Sequence, residues 1–324
     1  MVEPVPRSAA SGVLPRRRGF GAESVFGAVT LAAGAMVLVI IIAITAFLIT
    51  EAIPALDADQ ANFLTSTAWL ANDTPPEFGV AALAWGTLVS SVIALVVAVP
   101  VALGIALFLS HYASRRVGTT FGFLVDLLAA VPSVVFGLWG LTVFIDPVRS
   151  FSAWLNTYFR WIPLFGGDGP FGRSFLLGGL VLAIMILPIV TSLSREVFLQ
   201  TPTAHEEAAL SLGATRWEMI RTAVLPHGRP GVIASVMLGL GRALGETIAL
   251  AMTLGFLDEI TVNIVENGGN SIAANIANGF GEAGDVGRGA LIASGLVLFT
   301  ITLVVNMAAR AIIYRRRAFR ESAA

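Results

Sequence analysis

The sequence predicts an all-α integral membrane protein with six transmembrane helices. Its 324 residues are 56% hydrophobic and only 13% charged, and a soluble domain has about 25% charged residues. The apolar residues also fall in blocks of about 20 or more, the length that a helix needs to cross a bilayer. Because backbone polar groups cannot stay unpaired in hydrocarbon, each block must be helical.

Six apolar segments define the predicted spans. Their bounds are Val25–Ile49, Leu83–Leu109, Phe121–Ile145, Phe175–Leu193, Val232–Leu257 and Ala290–Ile313. The first follows a basic start, as a signal peptide would, but it is too long and lacks a small-residue cleavage site, so we expect it to be retained. Three parts result, namely a disordered tail at 1–24 rich in Pro, Gly, Ser and Arg, a six-helix membrane domain at 25–313, and a basic tail at 314–324.

The distribution of arginine predicts the orientation, because cytoplasmic segments carry the excess of positive charge. Every Lys or Arg position of the chain is an arginine, and fifteen of the twenty lie in the two tails, in the even-numbered loops or, for Arg310, near the end of the sixth span that adjoins a tail. Four lie in the odd-numbered loops, the longest of which are acidic, and Arg242 lies inside the fifth span. We therefore expect both termini in the cytoplasm.

The residue types exclude several kinds of active site. The chain has no cysteine, which excludes disulfides, thiolate metal sites and cysteine nucleophiles. Its three histidines are far apart in sequence. Without lysine it cannot form a P-loop, whose lysine reaches the β- and γ-phosphates of ATP. We expect no catalytic residue, no metal, no cofactor and no nucleic-acid partner, with any ATP bound by another subunit.

The loop at 146–174 predicts a further helix. Val148, Phe151, Trp154 and Leu155 recur at helical spacing, with more aromatic residues following. Such a pattern is typical of an amphipathic helix anchored at a membrane interface.

The segment 195–230, between the fourth and fifth spans, is too polar to cross the membrane and is patterned as two short helices. Thr203 with Glu206 has the spacing of a capping box, in which a hydroxyl and a carboxylate bond the backbone at a helix start. Thr215 with Glu218 repeats that spacing and predicts the start of the second helix.

A glycine separates these two helices. Gly213 suits the left-handed residue that ends the first one, and the second is predicted to end before Pro226. Small Ala208 and Ala209 would let another surface approach closely. From these residues alone, the segment is either a docking knob or a surface hairpin without a partner.

At this point the sequence resembles the EAA loop of ABC-importer permeases. The residues that carry the resemblance are Glu207, Ala208, Ala209, Gly213, Leu225 and Pro226. The resemblance implies that they dock in a groove of the ATP-hydrolysing subunit and transmit its closure to the pore. Ala223 departs from the isoleucine that is common in the family, and Glu206 from a residue that is often basic.

The fifth span holds a buried charge. Arg242 lies about 12 residues, or about 18 Å, past Pro230, near the middle of the bilayer. An arginine there costs about 2.5–3.5 kcal/mol and must face protein or water. Glu246 follows four residues later on the same helical face, so the two can pair. The pair is either an internal salt bridge or a cation lining an anion's path, and both can hold at once.

Longer motifs resemble the phosphate-specific (Pst) permeases, and the C type (PstC) more than the A type. They are Gly241–Thr247, Val131–Gly140 and Glu207–Trp217. The resemblance implies a type I ABC-importer permease fold that passes phosphate by alternating access. It also implies that Arg242, Glu246 and Thr247 line the substrate pathway.

The same resemblance implies a set of partners. They are a second permease (PstA type), two ATP-binding subunits (PstB type), an external phosphate-binding protein (PstS type) and membrane lipid. The resemblance also implies that the membrane is a bacterial cytoplasmic membrane.

Other transporters share some of these features. Sulfate and molybdate permeases carry a similar Arg-Ala-Leu-Gly-Glu string, usually followed by Phe-Gly, whereas Thr247 and Ile248 follow here. An ion-driven secondary transporter would need no docking knob and would often show internal repeats, which this sequence lacks. A membrane enzyme is disfavoured by the missing cysteines and clustered histidines.

Overall fold

The computed structural model describes residues 22–321, with side chains described from 25 to 311. Of the predicted tail at 1–24, residues 1–21 lie outside the described residues, and α1 begins at Ala22. Of the predicted tail at 314–324, only 322–324 lie outside them. The helices are α1 (Ala22–Ala58), α2 (Ala81–Leu107), α3 (Arg115–Ala129), α4 (Ser133–Trp139), α5 (Ile145–Phe159), α6 (Phe175–Leu199), α7 (Thr203–Ser211), α8 (Arg216–Met219), α9 (Leu225–Leu244), α10 (Ile248–Thr253), α11 (Ile272–Gly279) and α12 (Asp285–Glu321). An antiparallel ribbon pairs β1 (Trp69–Leu70) with β2 (Glu77–Phe78).

The chain divides into two units, residues 1–47 and 48–324. In the first unit, α1 carries apolar side chains on all sides, and nearly all of them are exposed. A helix that is apolar all round needs lipid or another protein around it. The predicted retained helix at Val25–Ile49 is thus confirmed as a helix of membrane-spanning length.

The second unit is built around α6, which packs against α2 and α9. Small residues let α2 and α6 approach closely. Ala94 and Ala98 of α2 are fully buried, and a Cβ on Gly179 of α6 would lie 2.5 Å from Ile93. Between membrane helices, such close backbone packing supplies stability that the hydrophobic effect does not.

Five helices of the described chain are long and apolar enough to cross a membrane. They are Val25–Ala58, Ala81–Tyr112, Ser133–Phe159, Phe175–Leu199 and Asp285–Ala311. The predicted first, second, fourth and sixth spans are therefore confirmed. The last helix continues to Glu321, beyond the predicted end of the domain at 313.

The bounds of the predicted third span, Phe121–Ile145, are wrong. α3 ends at Ala129, and Pro132, with extended backbone, precedes α4. Because proline has no N–H with which to continue a helix, the chain starts a new one there. α4 runs through a π-helical turn at Gly140–Phe144 into α5, so the membrane-length helix is Ser133–Phe159 and includes the helix predicted in the following loop.

The predicted fifth span, Val232–Leu257, is not one continuous helix. α9 ends at Leu244, three residues follow without helical structure, and α10 covers only Ile248–Thr253. Glu246, in the break, uses its carboxylate to accept the backbone N–H of Ala249 at 3.2 Å. The side chain thus takes over a backbone partner at the start of α10, as a helix cap does.

Candidate functional site

The helical hairpin α7–α8 begins differently from its prediction. The capping box of Thr203 and Glu206 is wrong, because Pro202 is the residue before α7 and no side chain caps the helix. Thr203 is instead the first helical residue. Glu206 is left free to reach across to His111, whose Nε2 lies 3.4 Å from its Oε1. This contact joins α7 to the end of the second span.

Gly213 ends α7 as predicted. Its φ is +84°, in the left-handed region that glycine adopts without strain. Gly213 N donates to Leu210 O at 2.9 Å, and Ala214 N donates to Ala209 O at 3.2 Å. These two bonds form a complete Schellman motif, which satisfies carbonyls that the helix end would leave unpaired.

The second predicted capping box is confirmed. Thr215 Oγ1 accepts from Glu218 N at 3.3 Å, and Glu218 Oε2 accepts from Thr215 N at 2.8 Å. Glu218 Oε2 also accepts from the Thr215 hydroxyl at 2.8 Å. The bond from the Thr215 backbone N–H, and after it the bond from the hydroxyl, hold the pKa of the Glu218 carboxyl below its ordinary value. The turn between α7 and α8 is therefore fixed at both of its ends.

The second helix does not end before Pro226, so that prediction is wrong. α8 passes through a π-helical turn at Ile220–Val224 directly into α9. The wider π turn accommodates the missing N–H of the proline without ending the helix. One helix of about 43 Å therefore runs from Arg216 to Leu244.

Packing holds the lower part of this long helix. Ile220 and Val224 are fully buried in a cluster with Phe198 of α6 and Ala106 of α2. This cluster therefore joins the long helix to the two helices beside it.

The residues predicted for the coupling loop lie together. Ala208, Ala209 and Pro226 line one open groove of about 370 Å³ between α7 and the long helix, and Glu207 is exposed beside it. Leu225 packs against the buried cluster below. On the same hairpin, Leu212 is 89% exposed and Trp217 is 55% exposed. Contiguous exposed apolar side chains are typical of a protein-binding surface.

Arg242 lies at the far end of the long helix. Its Nε is enclosed and has no hydrogen-bond partner. Its two Nη atoms make no hydrogen bond either and are not enclosed, so they are open to the space beside the helix. The neighbouring Gly241 also borders open space, since a Cβ there would meet nothing within 4 Å.

The contacts between α6 and α9 fix the depth of Arg242. Ser194 and Ser235 hydroxyls lie 2.8 Å apart, and a Cβ on Gly239 would lie 2.8 Å from Val190. The helices are antiparallel, so Arg242 is level with about residue 187, the middle of α6. The sequence-based placement near the centre of the bilayer agrees with this register.

Arg242 and Glu246 do not form the predicted pair, since the ion pairs among the described residues do not include them. The reason is that the helix ends at Leu244, so the spacing of four residues no longer places both side chains on one face. Glu246 is only 8% exposed and caps α10 instead. Thr247 also lies in the break, with its hydroxyl on Gly245 O at 3.2 Å.

Two further arginines, Arg173 and Arg195, share an unusual property with Arg242. Each has an enclosed Nε without a partner. The Arg195 guanidinium lies over Gly122 of α3, at 2.8 Å from the position of a Cβ there. In the sequence both arginines are predicted to lie in loops, where they indicate only the orientation of the chain. Only the extension of α6 past Leu193 could have placed Arg195 inside a helix.

A buried polar cluster lies near the end of α6 that is remote from the hairpin. Asn270 Nδ2 donates to Asp258 Oδ1 at 3.0 Å and to Asn275 Oδ1 at 3.3 Å. Burial raises the pKa of the Asp258 carboxyl above its ordinary value, and the bond from Asn270 only partly opposes this. Ionisation of Asp258 therefore destabilises the folded protein.

We expect Asp258→Asn to raise the thermal stability of the protein near neutral pH. A carboxyl whose pKa is higher in the folded protein than in the unfolded protein lowers the free energy of unfolding as the pH rises from the unfolded-state pKa through the folded-state pKa. Asparagine does not titrate and causes no such loss. The melting temperature should rise by about 1–3 °C at about pH 8 and by less at about pH 4. Unfolding scans at both pH values measure this, and an equal change at both would contradict the titration argument.

The chain matches one protein family and is similar to several named proteins. Residues 98–318 match the family described as "Binding-protein-dependent transport system inner membrane component". The chain is 46% identical over 319 residues to a Mycobacterium tuberculosis protein named "Phosphate transport system permease protein PstC 2", covering 96% of this chain and 98% of that one. It is 39% identical over 298 residues to a Xylella fastidiosa PstC, covering 91% of each. A solved structure of the MetNI methionine ABC transporter is similar at a TM-score of 0.48 and 18% identity, covering 71% of this chain and 90% of that one.

Proposed function

The chain belongs to the family of binding-protein-dependent transport system inner membrane components, and from this premise we propose that it forms part of the pathway for inorganic phosphate in an ABC importer. It is a multi-pass membrane protein with the type I ABC-importer permease fold. It is a permease subunit and not itself an enzyme, because ATP hydrolysis in these importers belongs to separate subunits.

One observation carries the choice of phosphate. The relatives that match nearly the whole chain at 46% and 39% identity are named as phosphate permeases. The geometry of Arg242 supports an oxyanion in general, because its open guanidinium edge suits the paired oxygens of such an ion. Glu246 and Thr247 lie in the break between α9 and α10, a few residues after Arg242 in the chain, and belong to the same proposed pathway.

The long helix α8–α9 supports a mechanism for coupling. In this proposal the ATP-binding subunits grip the groove at Ala208, Ala209 and Pro226, beside exposed Glu207, and Gly213 sets the angle of α7. Their closure moves the hairpin, and the continuous helix carries that movement to Arg242. Alternating access requires an element that carries such a movement across the membrane, and a continuous helix suits this role.

The distribution of arginine supports the orientation. Both termini and the hairpin are placed in the cytoplasm, so Arg173 and the loops after α10 face outward. The proposed complex has a second permease of the PstA type, two ATP-binding subunits of the PstB type and an external binding protein of the PstS type.

The test is uptake of labelled phosphate at low external concentration, in cells that lack their own phosphate permease and receive this chain with its candidate partners. Sulfate and molybdate serve as competitors. We expect phosphate uptake that persists with either competitor present. An assembled complex without phosphate uptake would refute the assignment of phosphate and move the substrate to another oxyanion.

A further inference from the structure

Arg173 lies immediately before α6, at the end of the bundle that the proposed orientation places outside. Its Nη2 donates to Ala251 O, near the end of α10, at 2.9 Å. Its Cζ lies 4.9 Å from the centre of the Phe256 ring. The guanidinium is therefore held on one face by an aromatic ring and at one corner by a backbone carbonyl.

Most of the hydrogen-bonding capacity of Arg173 is unused. A guanidinium has five N–H donors, and the described structure gives only one of them a partner. Nε is enclosed without a partner, whereas Nη1, which is also unbonded, is not enclosed. No carboxylate of the described residues pairs with it, and burial lowers the pKa of the Arg173 side chain.

The two arginines that precede Arg173 in the chain, one in α5 and one just after it, behave differently. Arg149 is exposed and binds Asp146 at 2.8 Å, and Arg160 binds Asp168. Both therefore have the paired, solvated arrangement of ordinary surface arginines. Arg173 is half-buried and has no such partner.

The turn around Arg173 is tightly constructed. Phe256 has a φ of +58°, which is unfavourable for a bulky residue and persists only where the surroundings enforce it. Phe256 N donates to Gly269 O at 2.9 Å, and Gly268 N donates to Arg173 O at 2.8 Å. Gly269 has a φ of +80° and no room for a Cβ, which would lie 2.5 Å from Phe175. The fold thus holds the aromatic ring against the guanidinium in spite of local strain.

We propose that Arg173, positioned by Phe256, is an anion-binding residue at the outer mouth of the pathway, where phosphate binds before it reaches Arg242. This inference rests on the proposed function. Along α6 the two arginines are separated by about 14 residues, or about 21 Å. A phosphate released from an external protein would meet the open Nη1 first, and its charge would compensate a cation that the protein leaves unpaired.

The test compares Arg173→Gln, Arg173→Lys and the control Arg149→Gln in the complete transport complex, reconstituted in vesicles with its binding protein. Initial rates of labelled inorganic phosphate uptake are measured per assembled complex over a range of phosphate-loaded binding protein. ATP hydrolysis and the amount of copurified ATP-binding subunit are measured in the same samples. A residue that only capped α10 would change assembly and not the rate of each assembled complex.

We expect Arg173→Gln to lower uptake per complex by about tenfold, with the ATP-binding subunits still present, and Arg173→Lys to lower it by less. The exposed Arg149→Gln should change uptake by less than about twofold. If Arg173→Gln does not assemble, Arg173→Lys decides, because it keeps the charge and can keep the carbonyl bond.

Two results would overturn the proposal. The first is that the assembled Arg173→Gln complex takes up phosphate at the same rate as Arg149→Gln. The second applies if Arg173→Gln does not assemble, and it is that Arg173→Lys has an unchanged apparent KM and an unchanged rate. Either result, with normal phosphate uptake by the unaltered complex, rejects the role of Arg173 and leaves the proposed function intact. Absence of phosphate uptake by the unaltered complex would instead reject the proposed function and this inference with it.

Discussion

Arg242→Gln should lower phosphate uptake by about 100-fold while the complex still assembles and binds its ATP-binding subunits. An arginine at the depth of mid-α6 costs about 2.5–3.5 kcal/mol, and no carboxylate of the described residues offsets that cost. An anion that passes Arg242 supplies the missing charge, and a contact of this size corresponds to about 100-fold in rate. Uptake per assembled complex, with copurified ATP-binding subunit as the measure of assembly, tests this.

The matched control is Arg229→Gln. Arg229 lies on the same helix α9 but is exposed, so its removal should leave uptake within about twofold of normal. Normal uptake by Arg242→Gln would reject Arg242 as a pathway residue. Equal losses in both variants would indicate a general need for positive charge on α9 and would also count against a specific role.

The absence of an Arg242–Glu246 pair in the described structure changes how Arg242 works. A paired arginine would have to break its salt bridge before it could bind a passing ion. Here Glu246 caps α10 and leaves the guanidinium free. The break between α9 and α10 therefore separates the two charges and keeps the cation available, which a continuous helix would not do.

The helices of membrane-spanning length could be predicted because their length and apolarity are local properties of the sequence. The break at Gly245–Thr247 could not. Helical spacing continues unbroken through Gly241–Thr247, and only the tertiary position of Glu246 shows that its carboxylate replaces a backbone partner. The shift of the third span has a similar origin, since Pro132 kinks some helices and ends others.

The candidate site was predictable to different degrees. Gly213 and the Thr215–Glu218 box follow from local backbone chemistry, and both have the predicted geometry. The roles of Arg173 and Arg195 depend on which distant groups fail to pair with them, and no spacing in the sequence reports that. The sequence indicates only that these arginines are positively charged, whereas the fold shows that their Nε atoms are enclosed and unbonded.

Gly213→Val should weaken docking of the ATP-binding subunits by about 5- to 100-fold. The substitution causes no clash, because a Cβ at Gly213 would meet nothing within 4 Å. Its cost comes from φ +84°, where a β-branched residue is strained by about 1–3 kcal/mol. The chain relieves that strain by opening the Schellman motif, which turns α7 away from the groove. The ratio of copurified ATP-binding subunit to permease measures the loss.

Two comparison variants separate backbone strain from side-chain bulk. Gly281→Val places the same side chain in equally open space at a glycine outside the left-handed region, so it should leave the subunit ratio unchanged. Gly213→Asn should restore much of the docking, because asparagine tolerates the left-handed conformation better than valine does. An unchanged ratio in Gly213→Val would argue against the coupling role of the hairpin. Equal losses in Gly213→Asn and Gly213→Val would show that the docking surface rejects any side chain there, and the strain argument would fail.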